Sequence, residues 1–284
     1  MTAERSEPRD RVSLPTAYRL LPTGVQAKSC CADLYASEWV RLLLGDSFHP
    51  GGIVLSERLG TLLGLGPRFQ VLDVAAGRGT SAIHLAQRFG CRVLGVDYGE
   101  ATVAAARAAA ARAGLGNRVQ FLTGDAERLP CADGAFDAVI CECAFCTFPD
   151  KQAAAAEFAR VLRSGGRVGL SDLTRTGPLP PDLQGLLAWV ACIADARPVD
   201  EYVACLQGAG LAVDAVEPHD EALAAMVRDI RTKVLGAEVL VKLKTLDLPG
   251  VDFEAAKAMV RSAADAVREG RLGYALIVAT KRDA

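Results

Sequence analysis

The sequence QVLDVAAGRG, at residues 70 to 79, is the most informative about the fold of this chain. Its first half is a short apolar run, and its second half is a glycine-rich turn that opens a helical pattern from Ser81 to Phe89. A second apolar run follows from Cys91 to Asp97, and an alanine-rich helical segment follows from Ala101 to Ala113. Strands that alternate with helices at this spacing predict a parallel sheet covered by helices on both faces.

The alternation continues to residue 172 and then changes. Further strands are predicted at residues 119–123, 136–141 and 167–172, with a helix at about 151–162. Beyond this point the pattern predicts helices at 183–194, at 200–208 and over most of 220–270, and strands at 211–217 and 273–280. We therefore predict an α/β fold with a Rossmann-like sheet of seven strands.

The first 60 residues carry helical signals without this alternation. We predict that residues 1–60 form an N-terminal helical cap and that residues 61–284 form the domain that contains the sheet. The same pattern predicts helical insertions in that domain at about 177–210 and 220–270.

The composition is that of a globular protein and argues against several classes. The chain has 284 residues, with 32 Lys and Arg against 34 Asp and Glu, which gives a formal net charge of −2. Such a chain is not held to nucleic-acid phosphates by bulk charge. Apolar stretches such as residues 186–194 are shorter than the ~20 residues that cross a bilayer, and the N-terminal residues show no signal-peptide pattern. We expect a cytoplasmic protein without nucleic-acid or membrane partners that acts on a small-molecule or metalloid substrate.

Acidic residues follow the first three predicted strands, at the carboxyl edge of the sheet. Asp73 precedes the glycine-rich turn, Asp97 ends the second strand, and Asp125 and Glu127 follow the third. An acid at the end of the second strand can accept hydrogen bonds from both ribose hydroxyls of a nucleotide. Because the turn lacks the G-x-G-x-x-G form, an NAD-binding domain is disfavoured.

These residues resemble the class I S-adenosylmethionine-dependent methyltransferases over roughly residues 65 to 175. The resemblance implies a last strand that is antiparallel, S-adenosylmethionine as the cofactor and S-adenosylhomocysteine as the product. It implies that the glycine-rich turn holds the methionine part, Asp97 the ribose, and Asp125 with Ala126 the adenine. The cofactor-binding residues predicted for this domain are Asp73, Ala75, Gly77, Gly79, Asp97, Tyr98, Asp125, Ala126 and Glu142.

The nine cysteines are an odd number in a chain without a secretion signal, which favours free thiols over disulfides. Six of them fall in short clusters or near the predicted site, namely Cys30, Cys31, Cys141, Cys143, Cys146 and Cys192. Thiolates bind soft, thiophilic elements, whereas buried free cysteines also serve as small apolar side chains. From spacing alone, both interpretations stay open.

The cysteine pattern is similar to that of the arsenite methyltransferases. Three segments carry this similarity: Cys143 ahead of PDK at 149–151, CIADA at 192–196, and SCC at 29–31. The resemblance implies that Cys143, Cys192 and Cys31, or Cys30 in its place, bind trivalent arsenic as thiolates, with a thiol reductant. It also implies that Tyr18 covers the cofactor.

The expected function is therefore methyl transfer to a thiolate-bound trivalent metalloid, arsenite or a methylarsenical, in metalloid detoxification. One alternative is a small-molecule O-, N- or C-methyltransferase resembling the quinone-biosynthesis type, in which the cysteines only pack. His49 and Glu142 would then be the acid–base candidates. A thiol-rich sensor that binds a metal ion or the cofactor without turnover is the third possibility.

Overall fold

A computed structural model describes residue 28 and residues 49–183, 192–246 and 251–282. Its single sheet has seven strands: β1 (Gln70–Val74), β2 (Arg92–Asp97), β3 (Val119–Thr123), β4 (Phe136–Glu142), β5 (Leu162–Arg175), β6 (Leu211–Pro218) and β7 (Leu272–Lys281). The strand order is β3-β2-β1-β4-β5-β7-β6. β1 to β5 pair in parallel, and β7 runs antiparallel to both its neighbours. The predicted Rossmann-like class I sheet is thus confirmed.

Seven α-helices connect or flank these strands in the described part of the chain: α1 (Gly52–Leu62), α2 (Thr80–Phe89), α3 (Glu100–Arg112), α4 (Lys151–Val161), α5 (Val199–Gly208), α6 (Asp220–Lys242) and α7 (Phe253–Arg268). Side-chain caps begin two of them. The Asp150 carboxylate accepts the Ala153 N–H at the start of α4, and Asp252 does the same for Ala255 at α7. Such caps satisfy backbone donors that the helix itself leaves unpaired.

Most predicted element boundaries differ from the structure by one or two residues, but β5 is much longer than predicted. The Arg163–Gly166 segment was expected to separate α4 from a strand that begins at Arg167. Instead Leu162 pairs directly with Phe136 of β4, and its side chain is fully buried. The strand therefore starts directly after α4, but residues 163–166 form an irregularity within it, because the pair after Leu162 and Phe136 joins Arg167 to Ala138.

The sheet is buried between two layers of helices. On one face Val71 and Ile140 pack with α1, α2 and α3, and Leu59 of α1 is fully buried there. On the other face Val139 and Phe158 belong to a core that includes residues of α4, α5, α6 and α7. The strand order reverses between β1 and β4, and in such sheets ligands bind above the carboxyl ends of the strands at this point.

The predicted domain division can be compared with the structure at the N-terminal boundary and at the two helical insertions. Of residues 1–60 the structure describes Lys28 and residues 49–60, and the predicted boundary at residue 60 falls inside α1. The expected helical insertion at 220–270 corresponds to α6 and α7, and that at 177–210 includes α5. Among the described helices, none is long and apolar enough to span a membrane.

Candidate active site

A cleft opens at the carboxyl ends of β1 to β4, where the strand order reverses. It contains about 1220 Å³ of empty space, part of it open to solvent. The side chains and backbone that line it are Lys28, His49, Asp73, Val74, Ala75, Ala76, Gly77, Arg78, Thr80, Ser81, Val96, Asp97, Tyr98, Thr102, Gly124, Asp125, Ala126, Glu142, Cys143, Ala144, Thr147 and Phe148. Eight of the nine cofactor-binding residues predicted for this domain lie in this lining.

Asp97 holds the glycine-rich turn against β2. One carboxylate oxygen accepts the Gly77 N–H at 2.8 Å, and the other accepts the Gly99 N–H at 2.9 Å. Gly77 adopts a left-handed φ of 54° that favours glycine. Burial raises the pKa of Asp97, and the backbone amides of Gly99, Gly77 and Tyr98 partly offset this effect. Each oxygen keeps a further lone pair, so Asp97 can also accept two hydroxyl groups of a ligand.

Gly79 is the predicted cofactor residue that does not line the cleft. It precedes the first residue of α2 with a left-handed φ of 81°, and a side chain there would collide with the Phe121 ring. Its role in the structure is close packing of α2 against β3, which the sequence could not distinguish from ligand contact.

Asp73 is a buried carboxylate with an unpaired oxygen. Its side chain lines the cleft, the residue is 3% exposed, and Oδ2 has no hydrogen-bond partner among the described residues. Burial, together with the charges of Glu142 and Asp97, raises the pKa of Asp73 well above its usual value. Such a group is costly unless a ligand supplies a donor or a cation. The ammonium group of S-adenosylmethionine is a cation of this kind, so the residues present fit that cofactor.

Lys28 closes the opposite end of the cleft and was not predicted. Its Nζ lies 2.9 and 2.8 Å from the two carboxylate oxygens of Asp125 and 2.5 Å from Glu127. Burial lowers the pKa of Lys28, but its hydrogen bonds to Asp125 and Glu127 outweigh this effect and leave the pKa raised. Lys28 directly precedes the SCC segment, but its contact with Asp125 spans 97 residues, and no local pattern predicts a contact over that distance.

A buried polar network lies on the wall of the cleft between α1 and β4. Ser56 donates to Glu142, with both carboxylate oxygens 3.0 Å from its Oγ, and the Ser81 hydroxyl lies 3.2 Å from the same Oγ. His49 Nε2 is 3.7 Å from Glu142. His49 Nδ1 is 3.2 Å from the Pro50 carbonyl oxygen, so Nδ1 carries a hydrogen and Nε2 faces the network. His49 and Glu142 were predicted as candidates from the sequence, whereas neither serine was.

The predicted thiols Cys143 and Cys192 come together although 49 residues separate them. Cys143 follows β4 with a left-handed φ of 51°, and its N–H donates to the Ser171 carbonyl at 2.6 Å. Cys192 is 2% exposed, and its Sγ donates to the Cys143 carbonyl at 3.2 Å. The Cys192 thiol is also within hydrogen-bonding contact of the thiols of both Cys143 and Cys146. Cys143 lines the cleft, whereas Cys192 lies behind it.

Cys141 and Cys146 occupy the core next to this pair and are fully buried. The Cys146 N–H donates to the Asp172 carboxylate at 2.9 Å. Burial, and then the neighbouring Cys192, raise the pKa of Asp172 to about 7. The hydrogen bond to Cys192, together with burial, raises the pKa of Cys143 well above its usual value, so its thiol is neutral at pH 7.

The remaining predicted residues, Tyr18, Cys30 and Cys31, lie outside the described residues. Within residues 28, 49–183, 192–246 and 251–282, no three or more His, Cys, Asp or Glu side chains are arranged to hold a metal ion. A three-thiol site that includes Cys143 and Cys192 would therefore need its third thiol from outside the described residues.

Comparison with known proteins places the chain among methyltransferases. A family model described as a methyltransferase domain matches residues 71–166. The 27-O-demethylrifamycin SV methyltransferase of Amycolatopsis mediterranei is 31% identical over 243 residues, which cover 81% of this chain and 83% of that protein. The arsenite methyltransferase of Halobacterium salinarum is 36% identical over 160 residues, which cover 55% of this chain and only 41% of that protein.

Solved structures show the same fold. The geranyl diphosphate C-methyltransferase of Streptomyces coelicolor A3(2), solved with Mg²⁺, geranyl-S-thiolodiphosphate and S-adenosylhomocysteine, superposes with a TM-score of 0.70 at 19% identity. The superposition covers 92% of this chain and 100% of that one.

Proposed function

Because the chain belongs to the class I S-adenosylmethionine-dependent methyltransferases, we propose that it methylates a trivalent metalloid held by cysteine thiols. Arsenite or a methylarsenical is the proposed acceptor. The observation that carries this proposal is the contact between Cys143 and Cys192, with Cys143 on the wall of the cleft. Similarity to an arsenite methyltransferase over 55% of the chain supports the same acceptor.

The cleft offers a site for each part of the cofactor. Asp97 would accept the ribose hydroxyls, Asp125 with Ala126 would meet the adenine, and Asp73 would face the ammonium group. When bound, S-adenosylmethionine supplies an electrophilic methyl group. Cys143 lies in the same cleft, so an acceptor bound to its thiol would be held beside the cofactor, and positioning of this kind lowers the barrier to methyl transfer.

Neutral thiols suit arsenous acid as a substrate. Each arsenic–sulfur bond forms as a thiol proton and an arsenic-bound hydroxide leave together as water, so binding needs no external base. The arsenic keeps its lone pair, which would form the new bond to carbon as the carbon–sulfur bond of the sulfonium breaks and S-adenosylhomocysteine leaves, without loss of a proton. Arsenic would become formally pentavalent in this step, and the thiol reductant would return it to the trivalent state. Cys143 and Cys192 supply two thiols in this proposal, and Cys31 or Cys30 supplies the third. Lys28, two residues before Cys30 in the sequence, lines the cleft.

The test is formation of S-adenosylhomocysteine with arsenite, S-adenosylmethionine and glutathione as the thiol reductant. We expect turnover that requires arsenite and falls at least ~100-fold in Cys143→Ser, because an oxygen ligand binds arsenic(III) more weakly than sulfur. Cys205→Ser, which changes a partly buried thiol in α5 outside the cleft, is the matched control and should keep wild-type activity. Cofactor binding without arsenite-dependent turnover would refute the metalloid acceptor.

The network of His49 and Glu142 favours a second candidate function, methyl transfer to an organic hydroxyl group. A hydroxyl acceptor must lose its proton during the transfer, so this reaction needs a base in the cleft. His49 lines the cleft beside Glu142, and its Nε2 could accept that proton. The relative from Amycolatopsis mediterranei matches over 81% of this chain and is named as a methyltransferase of 27-O-demethylrifamycin SV.

One substitution separates the two candidates. His49→Gln removes the basic nitrogen and keeps a polar side chain of similar size. With arsenite, turnover of this variant should stay within about threefold of wild type, because the nucleophile carries no proton. If 27-O-demethylrifamycin SV is methylated instead and His49→Gln loses ~100-fold or more of that rate, the hydroxyl candidate replaces the metalloid one.

A further inference from the structure

The adenine end of the cleft contains a cation between two carboxylates. Lys28 Nζ contacts both oxygens of Asp125 and one oxygen of Glu127, and the Lys28 side chain is only 13% exposed. The other oxygen of Glu127 accepts the N–H of Asp150, the residue that caps α4. The ammonium group thus links residue 28 to the loop after β3 and, through Glu127, to the start of α4.

The acceptor sites of Asp125 are nearly filled by this arrangement. A carboxylate has about four lone-pair sites. Oδ1 accepts from Lys28 and from the Glu127 N–H at 3.0 Å, whereas Oδ2 accepts from Lys28 alone among the described residues. One site on Oδ2 is therefore left for a donor in the cleft, and its direction is set by where Lys28 holds the carboxylate.

The charges require such a cation. Asp125 and Glu127 are separated by one residue, and both carboxylates contact Lys28 Nζ. Without this cation the two negative charges would repel each other. A neutral adenine ring cannot offset this repulsion. Hydrogen bonds between an ammonium group and carboxylates are among the stronger side-chain contacts, particularly when half-buried.

We infer that Lys28 is a positioning residue of the cofactor site, which orients the Asp125 carboxylate so that Oδ2 accepts a hydrogen bond from the adenine amine. This inference rests on the proposed placement of S-adenosylmethionine in the cleft and is independent of the acceptor. S-adenosylmethionine and S-adenosylhomocysteine carry the same adenosine, so Lys28 acts on both to the same extent.

The test is the Kd of each of these two ligands, measured by isothermal titration calorimetry on the full chain. Lys28→Met keeps the aliphatic stem and removes the charge. We expect it to weaken both ligands by the same factor, roughly tenfold, as for loss of a charged hydrogen-bond partner. Lys28→Arg keeps the charge, and its Kd for each ligand should stay within about threefold of the wild-type value.

Two further variants make the test specific. Arg58→Met removes a different ion pair, with Glu217 outside the cleft, and should leave both Kd values unchanged. In an Asp125→Asn background, Lys28→Met should raise the Kd of either ligand by less than twofold, because its effect acts through the Asp125 carboxylate. The inference is overturned if Lys28→Met binds within twofold of wild type, if only one ligand is affected, or if the two substitutions are additive. These are binding measurements, so a failure of arsenite turnover would leave their outcome intact.

Discussion

At the scale of single residues, the conformation of Cys143 matters most. The residue follows β4 in a left-handed conformation, which non-glycine residues seldom adopt, and the Ser171 carbonyl and Cys192 thiol hold it there. Strained positions of this kind are often found where function requires a fixed side chain. Here the strain places a thiol on the wall of the cleft, beside Glu142.

The protonation of Cys143 gives a prediction at this scale. Because a hydrogen bond to Cys192 and burial raise its pKa, only a small fraction is thiolate at pH 8. The thiolate is the form that reacts with iodoacetamide. We expect Cys143 to react at least ~10-fold more slowly than glutathione at pH 8, with a rate that still rises above pH 9. Peptide mapping by mass spectrometry gives the rate.

Cys192→Ala is the control for this measurement. It removes the largest contribution to the raised pKa and should speed the alkylation of Cys143 at pH 8. A rate for wild-type Cys143 that levels off by pH 8.5 would show that its pKa is not raised.

At the scale of secondary-structure elements, the turn between β1 and α2 organises the cofactor end of the cleft. Asp97 binds this turn through the Gly77 N–H, and Gly79 lets α2 approach the Phe121 ring of β3. The sequence predicted the turn and its place at the end of β1, because strand ends and glycine turns are local signals, but it assigned Gly79 to the cofactor and did not predict the Asp97–Gly77 hydrogen bond. Ser56, Ser81 and Lys28 were missed since their partners are 25 to 97 residues away and no pattern marks them.

Gly79→Ala tests the packing role of this turn. The methyl group would meet the Phe121 ring, and φ at this position is left-handed, so strain and collision add. We expect the free energy of unfolding to fall by about 2–4 kcal/mol in urea titrations. Gly64→Ala is the matched control, because its φ of 67° is also left-handed but no atom lies within 4 Å of the added carbon. Equal losses in the two variants would mean that contact with Phe121 is unimportant.

At the scale of the whole molecule, buried carboxyl groups near the thiols and the cofactor site couple stability to pH. Asp172 has a pKa of about 7 in the folded chain, from burial first and then from Cys192, against about 3.9 for an unfolded Asp. At a pH between these two pKa values, Asp172 therefore keeps its proton in the folded state, whereas the unfolded chain has lost it. Its contribution to stability is complete below pH 4, declines as the pH rises, and is lost above about pH 7.

Asp172→Asn should flatten this dependence. Between pH 5 and pH 7, the free energy of unfolding of wild type should fall by about 1–3 kcal/mol more than that of the variant. Urea unfolding at fixed ionic strength measures both. The slope is the readout, because the variant keeps only one of the two side-chain oxygens that accept the Cys146 and Leu173 N–H groups and is therefore less stable at every pH. Parallel curves would contradict the raised pKa of Asp172.

X-ray absorption at the arsenic K-edge tests whether Cys143 and Cys192 together bind a trivalent metalloid. The reduced chain would be loaded with one equivalent of arsenite and no other thiol. We predict three sulfur neighbours of arsenic in wild type and in Cys205→Ser, and one fewer in Cys143→Ser and in Cys192→Ser. Oxygen-only coordination in wild type, or an unchanged sulfur count in both site variants, would contradict it.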